Sequence, residues 1–221
     1  MSVSEVAGEL AVSPRRVRQM LADGLLRGEQ VGRSWIVDRE SVREAQLREF
    51  PVGRPWSDRS AWGLLLLAAG EEPELSPVGM SRARRRLSQG LEAWVDKLRS
   101  RAEEHRFYAH PSILEQLAGH AALVRSGVSA VDDYRVDLVS GEAVEGYLTA
   151  SALEGVVDQF AMDADSDRPN VVLRVVDDSV WPFASDQKVA PLPVVAIDLL
   201  ESPDERSRRA GRILLERLSV A

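Results

Sequence analysis

No cysteine occurs in the chain. Disulfides, zinc fingers and thiol nucleophiles are therefore excluded, and the composition fits a reducing cytoplasm, which is the expected location. Lysine is almost missing as well: of 28 basic residues only Lys97 and Lys188 are lysine, an arginine bias that fits a G+C-rich genome better than a functional choice. Long apolar runs are absent, the longest being Leu64 to Ala69, and the opening MSVSEVAGEL has neither a basic nor an apolar leader region. Neither secretion nor a membrane anchor is implied. Catalytic signatures are missing too: there is no Walker loop, no spaced-glycine fingerprint, no G-x-S-x-G and no H-E-x-x-H. His105, His110 and His120 are scattered, so no metal or other cofactor is expected. Asp163, Asp165 and Asp167 alternate as a calcium loop begins, but Arg168 stands where that loop needs glycine and Arg174 where it needs glutamate. An EF-hand is thereby excluded.

What is present describes a folded, soluble chain of 221 residues, 44% hydrophobic and 29% charged. That length accommodates a small module joined to a larger one. The net charge of -7 is unevenly shared: residues 1 to 50 hold 8 arginines and 8 carboxylates, leaving 28 - 8 = 20 basic against 35 - 8 = 27 acidic residues from 51 onward. A neutral first module with its arginines gathered on one face still meets phosphate, though weakly as a single copy, so a homodimer is expected.

Ser4 is placed to cap a short helix with Val6, Ala7 and Leu10 on its apolar face. Ala11 to Ser13 make a turn, and Ser13 with Pro14 opens a second helix to about Ala22, with Val17, Met20 and Leu21 inward. Arg15, Arg16, Arg18 and Gln19 then face outward together. In such a position arginine bonds guanine and glutamine bonds adenine in the major groove, while Ser13 and the free amides of the helix start suit a phosphate. An ordinary solvated helix face is the alternative. Asp23-Gly24 is a glycine stop; Leu25 to Arg27 and Val31 to Val37 read as strands around the turn Gly28-Glu29-Gln30. Arg33 and Ser34 lie near the tip of this wing, within reach of phosphate or minor groove, and Trp35 has the size of a core residue. Asp38 caps a third helix containing Val42 and Leu47.

The order AVSPRRVRQMLADGLL followed by VGRSWIVDRESV resembles the excisionase and MerR-related winged helix-turn-helix family over residues 4 to 47. The resemblance implies double-stranded DNA as partner, major-groove contact by Arg15, Arg16, Arg18 and Gln19, and backbone or minor-groove contact by Arg33. Family members include phage excisionases as well as transcription regulators.

Residues 51 to 56, with Pro51, Gly53 and Pro55, read as a linker between a DNA-binding domain over 1–50 and a second domain over 57–221. Ser57 caps an apolar helix ending at Gly70, and Ser76-Pro77 opens another through Ser88. Arg82, Arg85 and Arg86 share a face of that helix, either as a second nucleic-acid or partner contact or as a solvated face. Leu91 to about Glu104 reads as a third helix, Arg106 to Ala109 as a strand, and Ala122 to Arg125, Tyr134 to Leu138 and Val144 to Leu148 as strand-like. Thr149 caps ASALEGVVDQFAM, NVVLRVV is the strongest strand signal, and PLPVVAIDLLES with the helix DERSRRAGRILLERL closes the chain. The expected fold class is α+β: an N-terminal winged helix-turn-helix followed by a larger mixed domain for dimerisation or partner binding.

From RFYAHPSILEQL through VEGYLTASALEGVVDQFAM to the C-terminal helix, the order of segments resembles the C-terminal region of abortive-infection antitoxin regulators of the AbiEi group. That likeness implies a nucleotidyltransferase-like toxin as protein partner, with the first domain repressing the shared operon. The group's usual N-terminal module differs from the excisionase type present in this chain. The expected function is a bacterial transcriptional regulator, and not an enzyme. The alternatives are a recombination directionality factor and a DNA-targeted enzyme using Asp163, Asp165 or Asp177.

Overall fold

The computed structural model describes residues 1–10, 12–22, 26–31, 34–39, 41–42, 56–138 and 143–220. Several expectations lie outside them: the stop at Asp23-Gly24, Arg33 at the wing tip, Leu47 in the third helix and the linker over 51–55. The side chains of Arg16, Gln19 and Ser34 are likewise outside the description. The chain forms two compact units, Met1–Arg54 and Pro55–Ala221.

In the first unit, α1 (Val3–Glu9) starts at Ser2 rather than at Ser4. Ser2 and Glu5 form a reciprocal capping box, Glu5 N–H donating to Ser2 Oγ at 3.3 Å and Ser2 N–H to Glu5 Oε2 at 2.7 Å. Only Ser2 has a glutamate three residues on, so the cap falls there and Ser4 sits inside the helix. A tight turn, closed by Val12 N–H on the Ala7 carbonyl at 3.0 Å, leads into α2 (Pro14–Ala22). Val17, Met20 and Leu21 are buried, at the spacing that puts three side chains on one helical face. The hairpin is β1 (Gly28–Val31) with β2 (Ser34–Val37), antiparallel, Gly28 opposite Val37 and Val31 opposite Ser34. It lies further along the chain than the sequence predicted. Gly28 is a strand residue, not a turn: a Cβ there would lie 2.7 Å from the Ile36 carbonyl oxygen, so a missing side chain is what the pairing requires. Trp35 is half-buried against the unit's core. The third helix starts after Asp38, whose carbonyl accepts from Val42 N–H at 3.2 Å, and the buried Ser41 Oγ accepts from Arg27 N–H at 3.1 Å.

The second unit is mixed α and β. It opens with α3 (Asp58–Ala68), capped by Ser57, and α4 (Pro77–Leu87), capped by Ser76. The predicted single helix over 91–104 is instead a 3₁₀ turn at Leu91–Trp94, α5 (Val95–Leu98), and a second 3₁₀ turn at Arg99–Arg101. Strand β3 (Glu103–Phe107) follows, begun early because its backbone is taken into a sheet ladder. Then come α6 (Leu114–Ala118), β4 (Val124–Arg125), β5 (Val144–Thr149), α7 (Ala150–Gln159), β6 (Val171–Val176), α8 (Leu192–Glu201) and α9 (Glu205–Val220). Residues 134–138 form no strand. Arg135 adopts φ 51°, and Val136 N–H turns back onto the Val131 carbonyl at 3.0 Å, burying Val136. Thr149 occupies the cap position of α7, but Asp178 does the capping, accepting from Ser151 N–H at 3.1 Å and from its hydroxyl.

The sheet order is β3-β6-β5-β4, with β6 and β5 parallel and both edges antiparallel. The valine-rich β6 is central, as a strand buried on both faces should be. One face, carrying Leu148, Val171 and Leu173, packs on α6 and α7; the other, carrying Tyr147 and Val176, packs on α3, α8 and α9. The α8–α9 contact is close: a Cβ on Gly211 would lie 2.7 Å from the Ala196 carbonyl oxygen and 3.0 Å from Leu200. Gly211→Ala must spread the two helices and is expected to cost about 1–3 kcal/mol, measurable as a lower urea midpoint with an unchanged slope. Among the described residues no helix is long and apolar enough to cross a membrane.

Candidate functional site

Two places gather candidate side chains, one in each unit. On α2, Arg15 and Arg18 are exposed three residues apart, on the face opposite Val17, Met20 and Leu21. Ser13 and Pro14 are exposed at the start of the same helix. Ser34 begins β2 at the end of the hairpin that pairs with Val31.

The second place is a charge network that the sequence reading missed. Glu104 on β3, Arg174 on β6 and Tyr147 on β5 are register partners in one row across the sheet. Their face is covered by α8, which brings Asp198 and Glu201, one turn apart, over that row. Arg101, from the turn before β3, is almost wholly buried and uses all five of its donors. Nε donates to the Tyr147 hydroxyl at 2.8 Å, one terminal nitrogen to the Leu98 carbonyl and Glu201 at 2.8 Å each, the other to Glu201 at 2.7 Å and to Asp198. Asp198 also accepts from the Tyr147 hydroxyl at 2.8 Å and from the Ser126 hydroxyl, and its carboxylate lies 3.4 Å from Arg174 Nε. Arg174 continues to Glu145 at 3.1 Å. Trp62 Nε1–H closes the assembly from α3 by donating to the Arg101 carbonyl at 2.8 Å.

The electrostatics follow from burial opposed by pairing. Burial alone would lower the Arg101 guanidinium, but Glu201, Tyr147 and Asp198 hold it well above its ordinary range. Burial would raise Asp198, and Arg174 and Arg101, helped by the Ser126 and Tyr147 hydroxyls, bring it below the usual carboxylate range. Burial pushes the Tyr147 phenol far up. With every described buried side-chain nitrogen and oxygen bonded, the network ties α8 to β5, to β6 and to the turn before β3 and is a structural clamp.

Glu145 is its weak member, raised above the normal carboxylate range mainly by burial, with Arg174 opposing. The folded state therefore binds this proton more tightly than the unfolded one. The stabilisation is full below the unfolded value of about 4.3 and is lost as pH rises through the folded value. Glu145→Gln, which keeps the neutral shape, is expected to be more stable than wild type at pH 8, with the difference vanishing toward pH 4. Urea unfolding across that range measures it, and a variant no more stable at pH 8 would contradict it.

The arginine cluster of α4 is divided. Arg82 and Arg85 are exposed, whereas Arg86 is half-buried with its guanidinium carbon 3.7 Å from the centre of the Trp56 ring. Trp56 and Trp94 stand 5.4 Å apart, and Trp94 Nε1–H donates to the Arg86 carbonyl at 3.1 Å. Desolvation, then Arg82 and Arg85, lower Arg86. Arg86 thus holds an aromatic corner, and of the three only Arg82 and Arg85 remain exposed.

Among the described residues no three His, Asp or Glu side chains gather so as to hold a metal ion. Asp163 pairs its backbone with Tyr108, and Asp177 caps the turn at Ser179. No protein-family model, no curated protein and no solved structure matches this chain.

Proposed function

We propose that the protein is a sequence-specific DNA-binding regulator whose first unit reads duplex DNA through a winged helix-turn-helix. The observation that carries this reading is α2 itself. It follows α1 after a tight turn, buries Val17, Met20 and Leu21, and leaves Arg15 and Arg18 exposed on one face ahead of a β-hairpin. Side chains in the first turns of a helix so presented reach base edges in the major groove. Arg16, Gln19, Arg33 and Ser34 complete the contact set in this proposal, with Ser13 on a phosphate.

The second unit then supplies what binding by one neutral module lacks, through a homodimer or a protein partner. Its resemblance to antitoxin regulators favours an operon-autoregulating antitoxin within this reading. The test is fluorescence anisotropy with the duplex upstream of the protein's own gene. Wild type should bind it in preference to an unrelated duplex, and Arg15→Ala with Arg18→Ala should not. Equal affinity of the two proteins would sink the proposal.

A further inference from the structure

A groove of about 1090 Å³ runs over the sheet face beside the clamp, entirely within the second unit. It exceeds the roughly 300–1,000 Å³ that takes a drug-sized ligand, so it has room for a short peptide. Its linings are of two kinds. Val128, Val136, Leu138, Val172, Ala210 and Ile213 make an aliphatic floor, and Ile213 is 38% exposed, among the few large apolar side chains left open to solvent.

Arginines stand around this floor. Two of the six that line the groove, Arg106 and Arg174, are already paired with carboxylates. Arg135, Arg206 and Arg209 make no ion pair among the described residues, and Arg217 gives its hydrogen bonds to the neutral carbonyls of Tyr134 and Arg135. Against these four stand two lining carboxylates with no arginine within ion-pair distance among the described residues, Asp137 and Asp204, the latter capping α9 through Ser207 and held down partly by the charge of Arg206. With every lining charge counted, six arginines against Glu104, Asp137, Glu145, Glu201 and Asp204 leave 6 - 5 = +1, in a stretch from residue 51 onward whose total is 20 - 27 = -7.

We propose that this groove docks an acidic, amphipathic peptide segment of a partner protein, its apolar side on the aliphatic floor and its carboxylates on Arg135, Arg206, Arg209 and Arg217. Guanidinium forks match carboxylates two bonds at a time. A nucleic acid strand fits less well: among the described residues no aromatic side chain lines the groove for bases to stack on, and the surrounding acid repels a long polyanion. The inference stands apart from DNA binding by the first unit.

The test uses the full chain and two labelled peptides of identical Glu, Leu and Ala composition, one with leucines on a single helical face and one scrambled. The amphipathic peptide should bind and the scrambled one should bind more weakly. Arg206→Glu with Arg209→Glu should weaken binding roughly ten-fold or more, and Ile213→Ser should weaken it independently. Arg82→Glu with Arg85→Glu should leave it unchanged, and thermal melts of the exposed-residue variants should match wild type. Equal binding of both peptides, or an unaltered affinity in the Arg206/Arg209 variant, would overturn the proposal. Loss of oligonucleotide binding in that variant with the peptide retained would make the groove a nucleic-acid surface. Self-association abolished by the same substitutions would assign it to a second copy. Either result also overturns it.

Discussion

Replacing Asp198 with alanine is expected to destabilise the second unit by about 3–5 kcal/mol. The loss arises from what stays behind rather than from one missing contact. Arg101 and Arg174 would remain in a site that admits almost no water, with side chains 1% and 5% exposed, and Arg101 would keep only Glu201 as counter-charge. The Ser126 and Tyr147 hydroxyls would lose their acceptor at the same time. For a chain of this size each kcal/mol shifts the melting temperature by roughly 2–4 °C, so the fall should be large in calorimetry. Asp198→Asn, which keeps an acceptor but not the charge, should fall between. Joint replacement of Arg101, Arg174 and Asp198 by apolar residues of similar volume should recover most of the loss, because a desolvated charge is costly chiefly when its partner is removed. A loss below about 1 kcal/mol for the alanine variant, the range of exposed ion pairs, would show that the clamp is dispensable.

For DNA, Arg15→Ala together with Arg18→Ala should lower affinity for the cognate duplex at least about thirty-fold. Each bidentate base contact contributes about 1–3 kcal/mol, and two make about 2–6 kcal/mol at 1.4 kcal/mol per factor of ten. Salt dependence separates the two ways an arginine can act. If Arg18 meets phosphate, Arg18→Ala should reduce the slope of log affinity against log salt by about one and weaken all sequences alike. If it meets a base, the slope should hold while discrimination at one position disappears. Both arginines are exposed, opposite the buried face of α2, so a changed melting temperature is not expected and lost binding reports recognition alone.

How much of this was legible beforehand depended on whether the signal was local. Ser57 and Ser76 each precede an apolar or proline-opened run, and both are caps in the structure. The buried face of α2 follows from Val17, Met20 and Leu21 at helical spacing. The hairpin lies later than a turn at Gly28 predicts, because Gly28 is needed in a strand for the approach of the Ile36 carbonyl. A single helix over 91–104 does not form because its last residues, Glu103 and Glu104, pair with Val175 and Arg174 of β6, 72 and 70 positions away. The clamp left only a faint trace: Arg174 interrupts NVVLRVV and Asp198 interrupts PVVAIDLL. A lone charge in a buried run demands a partner of opposite sign, and these two runs hold one of each. Arg101, Tyr147 and Ser126 carried no such mark, since only the register and the seating of α8 bring them there.

Arg101 and Asp198 are 97 positions apart, and the order of synthesis gives that separation a meaning of its own. A nascent chain that has already laid down β3, β5 and β6 holds two arginines destined for the interior with their shared acid still unmade. The sheet can pair its strands before then, with Glu145 already beside Arg174, but closing its clamp-side face would bury Arg101 before either of its carboxylates, Asp198 and Glu201, exists. Closure of that face is therefore expected only once α8 is made, so a chain cut before Leu192 should leave it open to limited proteolysis.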